Sequence, residues 1–469
     1  MIPVTLAQIA ALTGGVVVGT DDPDAVLVTG DVVTDSRAAQ AGALYVARIG
    51  EHADGHAFIP SALANGAVAA LVSRVAPDEV PQVVVDDVQA AFASLARWVI
   101  DTHSDLLVVG ITGSSGKTST KDLLGEVLRV TGPTIAPEGS FNSEVGVPLT
   151  VCRVRPETRN LVVEMGARGL GHIRYLTQIA PPRIGVVLNV GTAHMGEFGS
   201  REAIAVAKAE LVEALPAHGV AVLNGDDPAV RAMAARTRAQ VLLVGEAPDC
   251  VVRAEHVDLD DRGRPRFDLV TPEGQVPVAL DLVGRHHVGN ALAVAAVARE
   301  VGMSLADIAD TLAAARPISR WRMEVTVRSD GVTVVNDAYN ANPDSMRAAL
   351  EALAAMASGR RTWAVLGSML ELGEESEAEH EAIGAHAVHT GVDELLVVGD
   401  GARAMVGGAT ESATVVRWVA DAARAGALLE AELRSGDVVL FKSSRDAGLR
   451  WLGEEVAAAT TDPDPEGGR

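Results

Sequence analysis

Leu106-Leu107-Val108-Val109-Gly110-Ile111-Thr112-Gly113-Ser114-Ser115-Gly116-Lys117-Thr118 is an apolar run that breaks into a Gly-rich turn and ends on Lys-Thr. A buried strand over Leu106–Ile111, the turn, and an amphipathic helix over Ser119–Arg129 set backbone N–H groups and a helix N-terminus against anionic oxygens. In that frame Lys117 reaches the β- and γ-phosphates of a nucleotide and the Thr118 hydroxyl holds Mg²⁺. The spacing departs from the common phosphate loop, which places Gly at position 111; Ile111 stands there and Gly113 supplies the turn instead. With strand, turn, Lys-Thr and helix in this order, an ordinary Gly-Ser turn is the weaker reading.

Upstream, β-like runs (Val16–Val18, Leu44–Val46, Val68–Leu71, Val83–Val85) alternate with helix-like stretches at Ala57–Ala64 and Ala90–Ile100, which predicts a small α/β domain over 1–102. Downstream, strands Leu161–Glu164, Ile184–Asn189 and Val220–Asn224 alternate with helices at Gly171–Ile179, Arg201–Leu215 and Ala229–Arg236, the pattern of a parallel sheet with helical crossovers. A mostly β segment, Val251–Val283, and a helix near Asn290–Glu300 complete a central domain over 103–316. Past a linker at Pro317, strands Val332–Val335, Thr362–Leu366, Glu394–Val398 and Val438–Phe441 alternate with helices, a Rossmann-like unit over 317–461. Residues 462–469, rich in Pro, Asp and Gly, read as a disordered tail. The expected fold class is α/β in three domains, the central one a P-loop-type parallel-sheet ATPase.

The chain of 469 residues is too long for one hydrophobic core, and a length prior of roughly 150 residues per domain agrees with three. Thirty-nine basic against 62 acidic side chains, a formal charge of −23, repel polyanions in general, so no nucleic-acid partner is expected and any nucleotide site must be local. Cys152 and Cys250 show no metal or redox spacing. No basic leader and no apolar run of membrane-spanning length is found, which predicts a cytoplasmic protein without a membrane partner.

Glu164 follows Leu161-Val162-Val163 and falls at the carboxyl end of the sheet, a place for a metal ligand that the adjacent Lys-Thr loop makes more than a solvated loop residue. His194, in Asn189-Val190-Gly191-Thr192-Ala193-His194, is by itself an ordinary loop histidine. Lys208, in Ala203–Glu210, reads alone as a surface lysine paired with a nearby Glu. Gly284–Asn290 opens a helix with donors and acceptors suited to an adenine edge, and Arg320-Trp321-Arg322 offers guanidinium groups that can reach phosphates. Asn336-Asp337-Ala338-Tyr339-Asn340-Ala341-Asn342-Pro343 is dense in Asn at a strand end, which hints at a ligand cleft.

Taken together these motifs resemble the Mur ligase family from about Val32 to Arg450. The family's modified loop is matched by Thr112–Thr118, and further matches are Thr34-Asp35-Ser36-Arg37, Phe141–Thr150, Glu164-Met165-Gly166, Asn336–Pro343 and Leu366–Gly373. The resemblance implies an ATP-dependent ligase that forms an amide through an acyl phosphate, joining D-alanyl-D-alanine to UDP-N-acetylmuramoyl-tripeptide for peptidoglycan, and acting as a monomer. It implies a UDP-binding N-terminal domain with Ser36 and Arg37 near the UDP, and Asn142 in a substrate loop. ATP contacts fall on Thr112, Gly113, Ser114, Ser115, Gly116, Lys117, Thr118, Asn290, Arg322 and Asp337; Tyr339, Asn340 and Asn342 face substrate. Two Mg²⁺ ions are held by Thr118, Glu164, His194 and Lys208, and Lys117, Lys208, His194 and Glu164 form the catalytic set. Lys208 aligns with a carbamylated lysine, which reverses its reading as a surface cation: an ammonium repels Mg²⁺, whereas a carbamate offers it anionic oxygens. His287 and Ser143 depart from the family pattern, each standing where relatives often have Asn. Within the same class, the ligase that adds the third residue of the tripeptide usually carries Asp-Asn-Pro-Arg, which this chain lacks. Folylpolyglutamate synthase shares the loop and the lysine. A nucleotide-binding regulator without ligase activity is the reading from another class, and the catalytic set stands against it.

Overall fold

The computed structural model describes residues 1–50, 53–76, 80–192, 195–410 and 413–459; His194 and the expected tail lie outside them. The strand expected before the Gly-rich turn forms at Leu107–Thr112. It lies parallel between Ile184–Val187 and Asn160–Glu164, with Glu164 opposite Ile111 and Val187 opposite Thr112. Among the described residues this sheet runs, edge to edge, Gly274–Ala279, Pro265–Thr271, Val252–Leu259, Gln240–Gly245, Val220–Asn224, Ile184–Val187, Leu107–Thr112, Asn160–Glu164, Thr134–Ile135. After Leu107–Thr112 the chain lays down the edge strand Thr134–Ile135 and then Asn160–Glu164 on one side, and then crosses to the other with Ile184–Val187 and builds outward there. The carboxyl end of that strand is therefore a switch point, where a crevice opens.

Helix His287–Glu300 is buried nearly all round, with Val288 and Ala291–Ala298 inside. Its small Ala and Val side chains let it lie against the sheet beside helix Lys117–Leu128. The expected β segment is an antiparallel meander, Val252–Leu259, Pro265–Thr271, Gly274–Ala279.

The N-terminal part holds a sheet ordered Val16–Val18, Gln82–Val84, Ala67–Val72, Ala43–Val46, Val32–Val33, parallel except for its first pair. Helix Val88–Thr102, capped by Asp87, buries Phe92, Leu95, Ala96 and Val99 against Gly146–Val151 and His172–Ile179, so one apolar cluster runs from Met1 to Ala239. The C-terminal sheet runs Glu324–Val327, Thr333–Asn336, Val438–Lys442, Thr362–Leu366, Glu394–Val398, Val415–Val419, with only its first pair antiparallel. No helix among the described residues is long and apolar enough to cross a membrane.

Two boundaries near the crevice differ from expectation. The helix starts at Lys117 rather than Ser119, because Gly116 takes a left-handed φ of 80° and turns the chain directly into it. The strand expected to reach Asn189 ends at Val187, which frees Leu188 and Asn189 to leave the sheet toward the turn.

Candidate active site

The Gly-rich turn is fixed from across the sheet. Asn189 Oδ1 accepts from the backbone N–H of both Ser114 and Ser115 at 2.9 Å. Among the described residues no side chain caps helix Lys117–Leu128, which leaves its first N–H groups available to an anion. Gly116 sits against Asn290, whose Oδ1 would lie 2.9 Å from a Cβ at that position. Lys117 Nζ donates to Gly113 O at 2.6 Å, folding the ammonium over the loop.

Glu164 is buried and gathers hydroxyl and amide donors: Thr118 Oγ1 donates to Oε2 at 2.9 Å, and Ser140 Oγ and Asn142 Nδ2 donate to Oε1 at 2.7 and 2.9 Å. From the linker, Arg322 Nη2 donates to Thr118 Oγ1 at 2.9 Å, while its Nε is buried with no hydrogen bond among the described residues. Lys208 is 5% exposed, on helix Arg201–Glu213, so its reading as a paired surface lysine is overturned. Its ammonium has no ion-pair partner among the described residues, and burial, then repulsion from Lys117, pushes its pKa well below the ordinary value. Burial also lowers Lys117, opposed by Glu164.

These groups face a polar cavity of about 790 Å³, lined by Gly113–Thr118, Asn142, Glu164, Lys208, Asn290 and Arg322, and from the C-terminal sheet by Asp337, Tyr339, Asn340 and Asn342. The volume lies in the range that holds a nucleotide-sized ligand. Asp337 accepts from Met323 N–H at 3.0 Å and pairs with the buried Lys442 ammonium, which also donates to Asn340 O at 3.2 Å. Tyr339 lies under the Arg322 guanidinium, 4.3 Å from the ring centroid. Asn342 is largely spent on structure: it caps helix Pro343–Ala357, accepting from Ser345 N–H at 2.9 Å, and its amide reaches Ser114 O at 3.5 Å. Thr112 is buried at the strand end and does not line the cavity.

Ser36 and Arg37 do not reach this cavity either. They form a short turn in the N-terminal part, where Ser36 is buried and the 86%-exposed Arg37 side chain pairs with Asp35 at 2.6 Å. That hydrogen-bonded pair holds the Asp35 carboxyl below its usual value.

The donor set fits both implied groups. Besides Lys208, six cationic side chains (Lys117, Arg168, Arg322, Lys442, Arg445 and Arg450) line a cavity whose one deeply buried carboxylate is Glu164, and the two beside the loop, Lys117 and Arg322, suit a polyphosphate. No group of three or more His, Cys, Asp or Glu that could hold a metal is found among the described residues. One carboxylate and one hydroxyl, completed by substrate phosphates and water, is how Mg²⁺ is commonly held.

The sequence reading missed Asn189 and Ser140 as supports of the loop and Glu164, and Lys442, Ser444, Arg445 and Arg450 as cavity lining. Phe441-Lys442-Ser443-Ser444-Arg445 carries the same signal used at Asn336, a polar cluster straight after an apolar strand.

Comparison with known proteins is consistent along the chain. Three family profiles match it in order: "Mur ligase family, catalytic domain" over 31–98, "Mur ligase middle domain" over 111–298 and "Mur ligase, glutamate ligase domain" over 321–445. The UDP-N-acetylmuramoyl-tripeptide–D-alanyl-D-alanine ligase of Mycobacterium tuberculosis (strain ATCC 25618 / H37Rv) is 48% identical, covering 98% of this chain and 99% of that protein. The enzyme of the same name from Escherichia coli (strain K12) is 37% identical over 85% of this chain and 86% of its own. Among solved structures, MurF from Acinetobacter baumannii superposes with a TM-score of 0.87 at 32% identity, covering 97% of this chain and 99% of that one. MurF ligase from Thermotoga maritima in complex with ADP superposes with a TM-score of 0.79 at 30% identity, over 92% and 97% of the two chains. The chain belongs to the Mur ligase family.

Proposed function

We propose that the chain joins the amine of D-alanyl-D-alanine to the terminal carboxylate of UDP-N-acetylmuramoyl-tripeptide, converting ATP to ADP and phosphate and giving the pentapeptide precursor of peptidoglycan. The observation that carries this reading is the single cavity lined at once by the nucleotide loop, Glu164, the buried Lys208 and the C-terminal strand-end loop. Near-full-length relatives named for that activity support it. Residues 1–102, with Ser36 and Arg37, take the UDP end; 103–316 takes ATP; and 317–461 brings the dipeptide and closes the cavity. We place the reaction in the cytoplasm, carried out by a monomer.

The tripeptide carboxylate attacks the γ-phosphorus, the bond to ADP breaks, and an acyl phosphate forms. The dipeptide amine then attacks the acyl carbon, the C–N bond forms, phosphate leaves and the amine proton passes to solvent. Lys117, Arg322 and the free N–H groups of helix Lys117–Leu128 neutralise the phosphoryl oxygens as charge develops, the term that usually dominates such reactions. Asn290 and Asp337 position the adenine and ribose, and Asn142, Tyr339, Asn340 and Asn342 border the substrate path. When bound, Mg²⁺ supplies further charge neutralisation, with Thr118 and Glu164, His194 and Lys208 as its protein ligands. Burial and then repulsion from Lys117 favour the neutral Lys208 amine, the form that adds to CO₂, forming an N–C bond and releasing a proton; the product is a carbamate anion beside Lys117. Closure of 317–461 keeps water from the acyl phosphate.

Phosphate release from ATP with the UDP-tripeptide present, with and without D-alanyl-D-alanine, tests the assignment. Release that requires the dipeptide supports it, and release indifferent to the dipeptide rejects it.

A further inference from the structure

Two buried charges one turn beyond Thr118 are not used by the chemistry above. Lys121 is 1% exposed and Asp122 is 6% exposed, and the two pair at 2.6 Å. Asp122 is four residues after Thr118, so both lie on one face of helix Lys117–Leu128. Each charge also holds a segment from elsewhere in the chain. Lys121 Nζ donates to Pro137 O, at the start of the stretch that carries Ser140 and Asn142 to Glu164. Asp122 Oδ2 accepts from Ser319 N–H at 3.1 Å, in the linker, and Ser319 Oγ accepts from Gly139 N–H at 3.1 Å.

Three residues beyond Ser319 comes Arg322, bonded to Thr118. Its neighbours Trp321 and Met323 both adopt left-handed backbone, with φ of 59° and 51°. Non-Gly residues held there cost on the order of 1–3 kcal/mol each and persist only where their surroundings over-determine them. Downstream, Met323 N–H is fixed by Asp337 Oδ1 at 3.0 Å; upstream, the linker is fixed by Asp122. We propose that the Lys121–Asp122 pair is a positioning device that anchors the linker to the nucleotide-loop helix and so sets Arg322 over the bound nucleotide. The pair itself touches no reacting atom, and its effect passes through Arg322.

The test is a double-mutant cycle on the full chain. The variants are Lys121→Met/Asp122→Leu, Arg322→Ala and their combination, with the Kd of a magnesium-bound non-hydrolysable ATP analogue read by calorimetry. Replacing a buried pair by apolar residues of similar volume is often neutral for stability, so the melting temperature of the pair variant should stay within about 4 °C of wild type. Its Kd should weaken about tenfold or more, the scale of a lost charged hydrogen bond, and the combined variant should bind no more weakly than Arg322→Ala. A wild-type Kd in the pair variant, or losses that multiply in the combination, overturns the proposal. Should the pair variant fail to fold, the isosteric Asp122→Asn decides, since it replaces the charged acceptor of Ser319 N–H by a neutral amide: a loss of about fivefold that vanishes in the Arg322→Ala background supports the anchor, and a wild-type Kd rejects it. The inference rests on the ATP-dependent reading, whose own failure would appear as wild-type protein that does not bind the analogue.

Discussion

An ammonium buried beside Lys117 with no carboxylate partner among the described residues is costly as it stands, and Lys208 is in that position. Its sequence surroundings, small apolar residues on a helix, do not reveal this, because only the packing of that helix against the sheet decides which face is inside. Lys208→Ala should lower the rate about 100-fold or more, with partial recovery on adding a short-chain carboxylic acid; full activity without the acid would remove the carbamate from the account. The pH dependence has a definite sign. The folded Lys208 titrates well below 10.5, so below that value the unfolded chain binds the extra proton and stability rises with pH. In CO₂-free buffer the melting temperature of wild type should therefore climb more between about pH 7 and about pH 9 than that of Lys208→Met. Equal slopes would show that the amine is not held neutral by the fold. Gly116 holds a φ of 80°, and a Cβ there would meet Asn290 Oδ1 at 2.9 Å, so a methyl forces the loop or Asn290 to shift. Gly116→Ala should raise the KM for ATP about tenfold or more, from strain of roughly 1–3 kcal/mol in the loop.

At the scale of elements, period and punctuation carried most of the layout. Val16–Val18, Val220–Asn224, Thr362–Leu366 and Glu394–Val398 form over the residues their apolar runs mark. Elements that went unread had quieter signals. Helix Leu6–Thr13 is announced by a capping box, Thr5 with Gln8, within a short and weakly polar stretch. Strand Val415–Val419 lies at a sheet edge, with Arg417 interrupting its apolar run. The part of the site that was legible is the part written in contiguous motifs, the loop and the Asn-rich strand end. Asn189 was not, because its role depends on a strand ending two residues early and on a partner 75 positions away. Helix Arg201–Glu213, which carries Lys208, is itself tied down by Glu210, whose carboxylate accepts from Gly171 and Arg174 N–H at 2.6 and 3.0 Å. Glu210→Ala leaves those N–H groups without their acceptor and should cost about 1–3 kcal/mol of stability, seen as a lowered melting temperature. An unchanged melting temperature would mean that water takes over the cap.

Over the whole molecule, the cavity exists only because two sheets meet. Thr118 is bonded to Arg322, Ser114 to Asn342, and Thr192 N–H to Asp344 at 3.1 Å, so the C-terminal unit is latched onto the Gly-rich loop and the strand end beside it. In the proposed reaction that closure would keep a hydrolysable acyl phosphate from water until an amine arrives, and one labelling experiment tests it. With ¹⁸O in the terminal carboxylate of UDP-N-acetylmuramoyl-tripeptide, attack on the γ-phosphorus leaves one carboxylate oxygen in the released phosphate. Phosphate from a complete reaction with D-alanyl-D-alanine should carry a single ¹⁸O per turnover, whereas phosphate holding only solvent and ATP oxygen would contradict the acyl-phosphate route through this cavity.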